Sequence, residues 1–235
     1  MAFLTAEWRK LVIANYVIDK AILEKYLPYK TELDLWEGKC YVSLIGFMFQ
    51  NIKVLGVKIP GHTDIEEVNL RFYVKHQDLN ERKRGVVFIK ELVPKRALSF
   101  IANTLYKEHY HTVPMSHNWL ERDRTLEIEY NWKYANRAQQ LKVTAKNTLI
   151  DIPAKSEMEF ITEHYWGYTK VNENKTFEYG VVHPRWQGYE ILDHKITVDF
   201  GLVYGKDFEF MNALTPVSIM LAEGSPISVK NKKRI

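Results

Sequence analysis

Along most of its 235 residues, apolar and polar side chains alternate with a period of two, the pattern of strands that bury one face. The alternation is clearest where Leu126, Ile128, Tyr130, Trp132 and Tyr134 interleave with Glu127, Glu129, Asn131 and Lys133. Leu141, Val143 and Ala145 resume it after Asn136-Arg137, so this stretch reads as a hairpin. Further strands are expected over 10–17, 31–36, 40–52, 67–75, 85–93, 177–183 and 196–203. Turn residues separate them at Glu37-Gly38, Asn80-Glu81, Asn172-Glu173-Asn174 and Gly224-Ser225-Pro226.

Helical spacing is rarer. Asp19 is placed to cap a run from Lys20 to Leu27, where Ile22, Leu23, Tyr26 and Leu27 share a face before Pro28. Pro94 suits a first helical position, with Ala97, Leu98, Ile101, Ala102 and Leu105 recurring at helical spacing up to Tyr106. A shorter candidate covers 156–163. Many strands, few helices and no βαβ rhythm predict a mostly β (α+β) chain: a curved antiparallel β-barrel or sandwich with appended helices. The absence of repeats and of Ser/Gly/Pro-rich linkers predicts one domain over 1–229, followed by a basic tail over 230–235.

Charge and cysteine content restrict partners. The net charge of +4 owes much to the run Lys230-Asn231-Lys232-Lys233-Arg234, which reads as a solvated tail rather than a nucleic-acid footprint. A single cysteine, Cys40, excludes an internal disulfide framework and a cysteine-only metal site, and suits a reducing, cytoplasmic setting. No stretch reaches the ~18 consecutive apolar residues of a membrane span, and the N-terminus lacks a signal-peptide pattern. No membrane partner is expected.

Motifs for common chemistries are missing: there is no GxSxG, glycine-rich phosphate loop, HExxH or zinc-knuckle spacing, so no cofactor is implied. His109-Tyr110-His111 and His117 place imidazoles near one another, but no Cys or carboxylate completes a metal-ligand set, and no metal is expected. His62 and His183 read as local hydrogen-bonding residues, and Cys40 as a small core residue.

Two constellations stand out. The strand over 67–75 puts Val68, Leu70, Phe72 and Val74 on one face and Glu67, Asn69, Arg71, Tyr73 and Lys75 on the other. The polar face either meets water or, if the sheet closes into a barrel, lines a pocket with paired charges. The segment Lys90-Glu91-Leu92-Val93-Pro94-Lys95-Arg96 sets two adjacent cations where a strand meets a helix. A neighbouring cation, a dry pocket and a helix N-terminus all disfavour an ammonium, and a neutral lysine can form a Schiff base. The competing reading is a solvated first helical turn.

Several segments together resemble the uncharacterised YqjF-like family of bacterial proteins. They include Trp8-Arg9, Leu27-Pro28, Tyr41 to Phe47, Glu67 to Val74, Gly85-Val86-Val87-Phe88, His183-Pro184-x-Trp186 and Ala222 to Pro226. That family is similar to the acetoacetate-decarboxylase-like superfamily, a curved antiparallel barrel with few helices. The resemblance implies that Arg9 stands at the decarboxylase's carboxylate-binding arginine, and that Lys95 and Arg96 stand at its Schiff-base lysine and neighbouring cation. Two departures accompany it: the approach to Pro94-Lys95 is two residues shorter, and Ser43 stands where the decarboxylase has a pocket glutamate, leaving Asp64, Glu66 or Glu67 to supply an acid.

The expected partner is therefore a small, anionic organic molecule held in a barrel pocket by Arg9, Ser43, Glu67, Asn69, Arg71 and Tyr73. The alternatives are a decarboxylase or lyase acting through Lys95 and Arg96 on a β-keto acid, and a filled barrel serving as an interaction module.

Overall fold

Strand pairing follows the alternation closely, and the strands are long because few turn residues interrupt them. The computed structural model describes every residue except Met1, Ile59, His62, Asn80 and Tyr106, and it does not describe the side chains of Leu98, Ile101, Ala102 and Leu105. The first half holds β1 (Ala2–Val17), β2 (Glu32–Leu33), β3 (Tyr41–Val54), β4 (Val57–Lys58), β5 (Ile65–Asp78) and β6 (Glu81–Val93). Helix α1 (Arg96–Leu105) leads to β7 (Tyr110–Thr112), β8 (Met115–Glu121), β9 (Thr125–Tyr134) and β10 (Arg137–Asp151). Helix α2 (Glu157–Thr162) precedes β11 (Trp166–Asn172), β12 (Lys175–Val182) and β13 (Gln187–Thr197). Helix α3 (Phe200–Tyr204), β14 (Ser218–Lys230) and β15 (Lys233–Arg234) follow. No helix among the described residues is long and apolar enough to cross a membrane.

The order β12–β11–β6–β5–β3–β1–β14 is continuous, and β12 pairs again with β14 through Val181–Val229 and Val182–Ser228. These strands therefore close into a ring, which leaves its members no free edges. Most pairings are antiparallel, but β6 and β11 run parallel at Gly85–Trp166. A Cβ at Gly85 would stand 2.5 Å from the Trp166 carbonyl oxygen, so only glycine permits that approach.

Strands β13, β10, β9 and β8 continue from β14 as a second sheet. Its inner face packs on the outside of the ring. Val68, Leu70, Phe72 and Val74 of β5 share one cluster with Leu126, Ile128, Leu141 and Val143, all at 2% exposure or less. A separate cluster fills the ring itself, where Leu11, Ile13, Ile45 and Phe47 meet Phe160 and Ile161 of α2. The ring wall is thus buried on both faces, and neither face of β5 is the wet one.

Several expectations change. The strand expected over 196–203 is helical at Phe200–Tyr204, because the Asp199 carboxylate caps it by accepting the Leu202 amide N–H at 3.0 Å; the strand lies earlier, at Gln187–Thr197. Asp19 does cap the segment after it, accepting from the Ala21 amide at 2.9 Å, but Lys20–Ile22 and Glu24–Tyr26 form two 3₁₀ turns rather than an α-helix, and Leu27, ahead of Pro28, is already extended at ψ 125°. The strand expected over 31–36 shrinks to Glu32–Leu33. Gly224-Ser225-Pro226 is not a turn but part of β14: Gly224 has φ +82°, and a Cβ there would meet the Trp8 carbonyl at 2.0 Å. Strands β4, β7, β8, β11, β14 and β15 lie outside the expected ones, and β8 is short and largely exposed, which leaves little apolar signal.

Helix α1 exists, but it begins at Arg96 rather than Pro94. Pro94 forms a bend, and the Lys95 carbonyl accepts the Ser99 amide at 3.3 Å, making Lys95 the cap. Ala97 is exposed, and the rest of the expected apolar face lies outside the described side chains. Asn80, His62 and Tyr106, invoked above for a turn, a local bond and the helix end, lie outside the described residues. The basic run does not trail into solvent: Lys233–Arg234 pairs with Phe177–Glu178, and Lys233 meets the buried Glu178 carboxylate at 3.0 Å.

Candidate functional site

The ring surrounds a cavity of about 150 Å³ that is partly open to solvent. Strand β5 contributes Glu67, Asn69 and Arg71 to its wall, at 2%, 2% and 8% exposure, because period two sends all three inward when Val68, Leu70 and Phe72 face out. Ladder partners Phe47 and Ile45 on β3 complete the apolar surround of Glu67 and Asn69.

Strand β6 reaches the cavity by breaking its own alternation. Val86 and Phe88 face inward, so strict alternation would send Lys90 in and Glu91 out. The register slips between Leu70–Lys90 and Arg71–Phe88, an extra residue on β6 that is a β-bulge. Glu91 therefore turns into the cavity, while Lys90 turns outward to donate to the Tyr134 hydroxyl at 3.0 Å. Behind it, β7 runs parallel to β6 with Tyr110 opposite Glu91, and the segment before β7 delivers Glu108.

Glu67, Glu91 and Glu108 thereby share one dry volume. Glu67 accepts from Asn69 Nδ2 at 3.0 Å and from the Tyr110 hydroxyl at 3.2 Å; Glu108 accepts from Thr169 at 2.6 Å and from Tyr179 at 2.8 Å. Burial disfavours their charged forms, and the repulsion of Glu108 adds to this at Glu67 and Glu91. The Glu67 and Glu108 carboxyls are pushed up to about 7, and Glu91 well above the usual carboxylate range. These groups stand as neutral acids below that pH and offer O–H donors as well as acceptors.

Arg71 supplies the cation. Its Nη2 donates to the Ile161 carbonyl at the end of α2 at 3.4 Å, its guanidinium lies 5.5 Å from the centre of the Tyr73 ring, and its Nε has no partner. His164, just after α2, also lines the cavity. Its Nε2 stands 3.2 Å from Asp34 and its Nδ1 is unpartnered. Burial outweighs the pull of Asp34 and lowers the His164 imidazole to about 4, so it is neutral at physiological pH. Against the opposing effect of burial, bonds from His164 and Arg84 hold the Asp34 carboxyl down at about 2. A neutral imidazole beside an ionised Asp34 donates through Nε2–H and leaves Nδ1 as an acceptor.

The other residues singled out from sequence fall elsewhere. Arg9 is outside the cavity because β1 bulges between Arg9 and Val12: Trp8 and Leu11 both face in, while Arg9 bonds Glu7 at 2.5 Å and Lys10 bonds Glu223 at 2.5 Å on the outer side. Ser43 and Tyr73 are fully buried but saturate one another: the Tyr73 hydroxyl lies 2.7 Å from Ser43, whose own hydroxyl donates to Asn15 at 2.5 Å. Neither is part of the cavity wall. Lys95 is half-buried at the cap of α1, Arg96 is exposed, and no lysine is among the described residues of the wall. Of the three acids that could replace a pocket glutamate, Glu67 lines the cavity, whereas Asp64 caps the Asn51 amide and Glu66 bonds His117.

Glu91, Glu108, Tyr110, His164 and Trp8 escaped the sequence reading as cavity residues. Glu91 was hidden by the bulge, and Glu108 and His164 sit in short connections without periodicity. Cys40 is a core residue, its thiol pushed up to about 11 by burial. His109 and His111 are exposed on the β7 side, and no group of three or more His, Cys, Asp or Glu among the described residues could hold a metal ion.

Solved acetoacetate-decarboxylase-like enzymes share this fold. The chain superposes with a TM-score of 0.66 on the acetoacetate decarboxylase of Legionella pneumophila, at 12% identity and with 99% of this chain and 86% of that one covered. It superposes with 0.68 on an acetoacetate-decarboxylase-like enzyme from Sphingomonas wittichii RW1, at 11% identity over 100% of this chain and 94% of the other. The enduracididine biosynthesis enzyme MppR, complexed with pyruvate, also gives 0.68, at 10% identity over 100% and 91%. Identities this low establish the fold alone. Residues 5–226 match the DUF2071 family model, described as "Uncharacterized conserved protein", and the chain belongs to that family. The uncharacterized protein YqjF of Bacillus subtilis (strain 168) is 27% identical over 184 residues, covering 76% of this chain and 72% of its relative.

Proposed function

We propose that the ring cavity binds a small organic anion, with Arg71 as the anchor and Asn69, Glu67 and Glu91 as the surrounding polar contacts. The observation that carries this reading is a guanidinium at 8% exposure, on a cavity wall, with one long hydrogen bond and an unpartnered Nε. A buried charge left in that state costs several kcal/mol unless something completes it, and a carboxylate completes a guanidinium in bidentate geometry. Below about pH 7 the acids beside it are protonated and add no competing negative charge. The lone buried thiol suits a cytoplasmic setting.

Binding is preferred over imine chemistry because the wall presents an arginine and no lysine among its described residues. Calorimetric titration of the wild-type chain and of Arg71→Met with a panel of small carboxylates tests the reading. Saturable binding that weakens roughly ten- to hundredfold in the variant is expected, the worth of hydrogen bonds to a charged group. Equal binding by both chains would refute Arg71 as the anchor.

A further inference from the structure

The unpartnered atoms of the cavity specify more than an anion. Arg71 Nε and the Trp8 indole Nε1–H are buried donors without acceptors, Asn69 Oδ1 and His164 Nδ1 are buried acceptors without donors, and the Oε2 of the Glu91 carboxyl is unpartnered. Asn69 is held in this orientation because its Nδ2 already donates to Glu67. An acetate-like ion at Arg71 satisfies that donor and leaves Asn69 Oδ1 orphaned. A complete occupant needs a hydroxyl or N–H as well as a carboxylate.

The apolar part of the wall adds shape. Trp8 is met edge-on by Phe47 at 5.6 Å, Phe49 at 5.8 Å and Trp186 at 6.1 Å, and Trp186 stacks on His183 at 4.3 Å. His183 joins this aromatic box to the polar end: it lies 6.2 Å from Trp8, and the positive charge of Arg71 reaches it. A cavity of about 150 Å³ is the size that admits a benzene ring. Aromatic walls favour a flat partner in offset or edge contact.

We propose, building on the anion-binding reading, that the occupant is an aromatic monocarboxylate bearing one further hydrogen-bond donor, of about the size of a hydroxybenzoate. Its carboxylate sits at Arg71, its ring lies against the aromatic wall around Trp8, and its hydroxyl or ring N–H donates to Asn69 Oδ1.

The test is a calorimetric series on the unaltered full-length chain with acetate, benzyl alcohol, benzoate and the three hydroxybenzoate isomers. Benzoate is expected to bind at least about tenfold tighter than acetate, through burial of the ring. One hydroxybenzoate isomer is expected to gain roughly a further three- to tenfold from the completed hydrogen bond. Benzyl alcohol should bind more weakly than benzoate. In Asn69→Leu, checked for folding by its melting profile, the ratio of hydroxybenzoate to benzoate affinity should fall towards one; a ratio unchanged from wild type would overturn Asn69 as the acceptor. Acetate binding as tightly as benzoate, or every hydroxybenzoate binding no tighter than benzoate, would overturn this proposal and leave the anion reading standing. Failure of every carboxylate to bind would overturn both.

Discussion

The two faces of β5 share a backbone and nearly equal burial, yet they do opposite things. Outward, Val68, Leu70, Phe72 and Val74 meet the second sheet as hydrocarbon against hydrocarbon at 0% exposure. Inward, Glu67, Asn69 and Arg71 are nearly as dry, but they surround a cavity and keep unpartnered polar atoms. Burial alone therefore does not tell a core from a site. What separates them is whether burial leaves polar groups unsatisfied, since such groups cost free energy that packing does not return.

The sharpest way to break this contrast is to truncate each face in turn. Leu70→Ala, on the outer face, is expected to lower the unfolding free energy by about 2–5 kcal/mol in urea titrations, because its neighbours cannot collapse into the gap. Arg71→Met, one residue along, should cost less than about 1 kcal/mol or even stabilise, since it exchanges a poorly partnered buried charge for hydrocarbon. Comparable losses in the two variants would mean that the inner face is ordinary core.

A second test uses pH. Glu67 titrates higher in the folded chain, at about 7, than the ~4.3 of an unfolded glutamate, so the folded state holds the extra proton between these values. Its contribution to stability is thus full below the unfolded value and is lost as pH rises through about 7. Glu67→Gln removes that dependence, so the variant should gain on the wild type by on the order of 1 kcal/mol or more between pH 5 and pH 8 in denaturant titrations. A difference that stays flat across that range would show that Glu67 is not held neutral.

The smallest effect is expected at Lys95. Lys95→Ala should leave carboxylate affinity within about twofold of wild type, since the side chain is not part of the wall. Borohydride reduction in the presence of a β-keto acid should give no adduct at Lys95 by peptide mass spectrometry. A Lys95 adduct would bring imine chemistry back into contention and move the site to the start of α1.

Much of this architecture is legible in residue order. The alternation in β5, β9 and β10 sets strand class and identifies which side chains share a face, because successive residues of an extended chain must point to opposite sides. It already groups Glu67, Asn69 and Arg71 together, and Asp19 and Ser156 mark turn and helix starts through their own side-chain oxygens, while the Asp199 cap falls inside a stretch that alternation reads as strand. Alternation is silent on which face lies inside, however. That is decided by the return of β12 to β14, a long-range closure in which Val181 meets Val229. Two bulges, at Arg9–Lys10 and at Ile89–Lys90, then reverse the phase of β1 and β6, sending Arg9 out and Glu91 in. Glu108 and His164 join them from connections that carry no period at all. A local pattern is fixed by the geometry of the extended backbone, whereas a cavity is made by segments distant in the chain, and only their packing decides which of them meet.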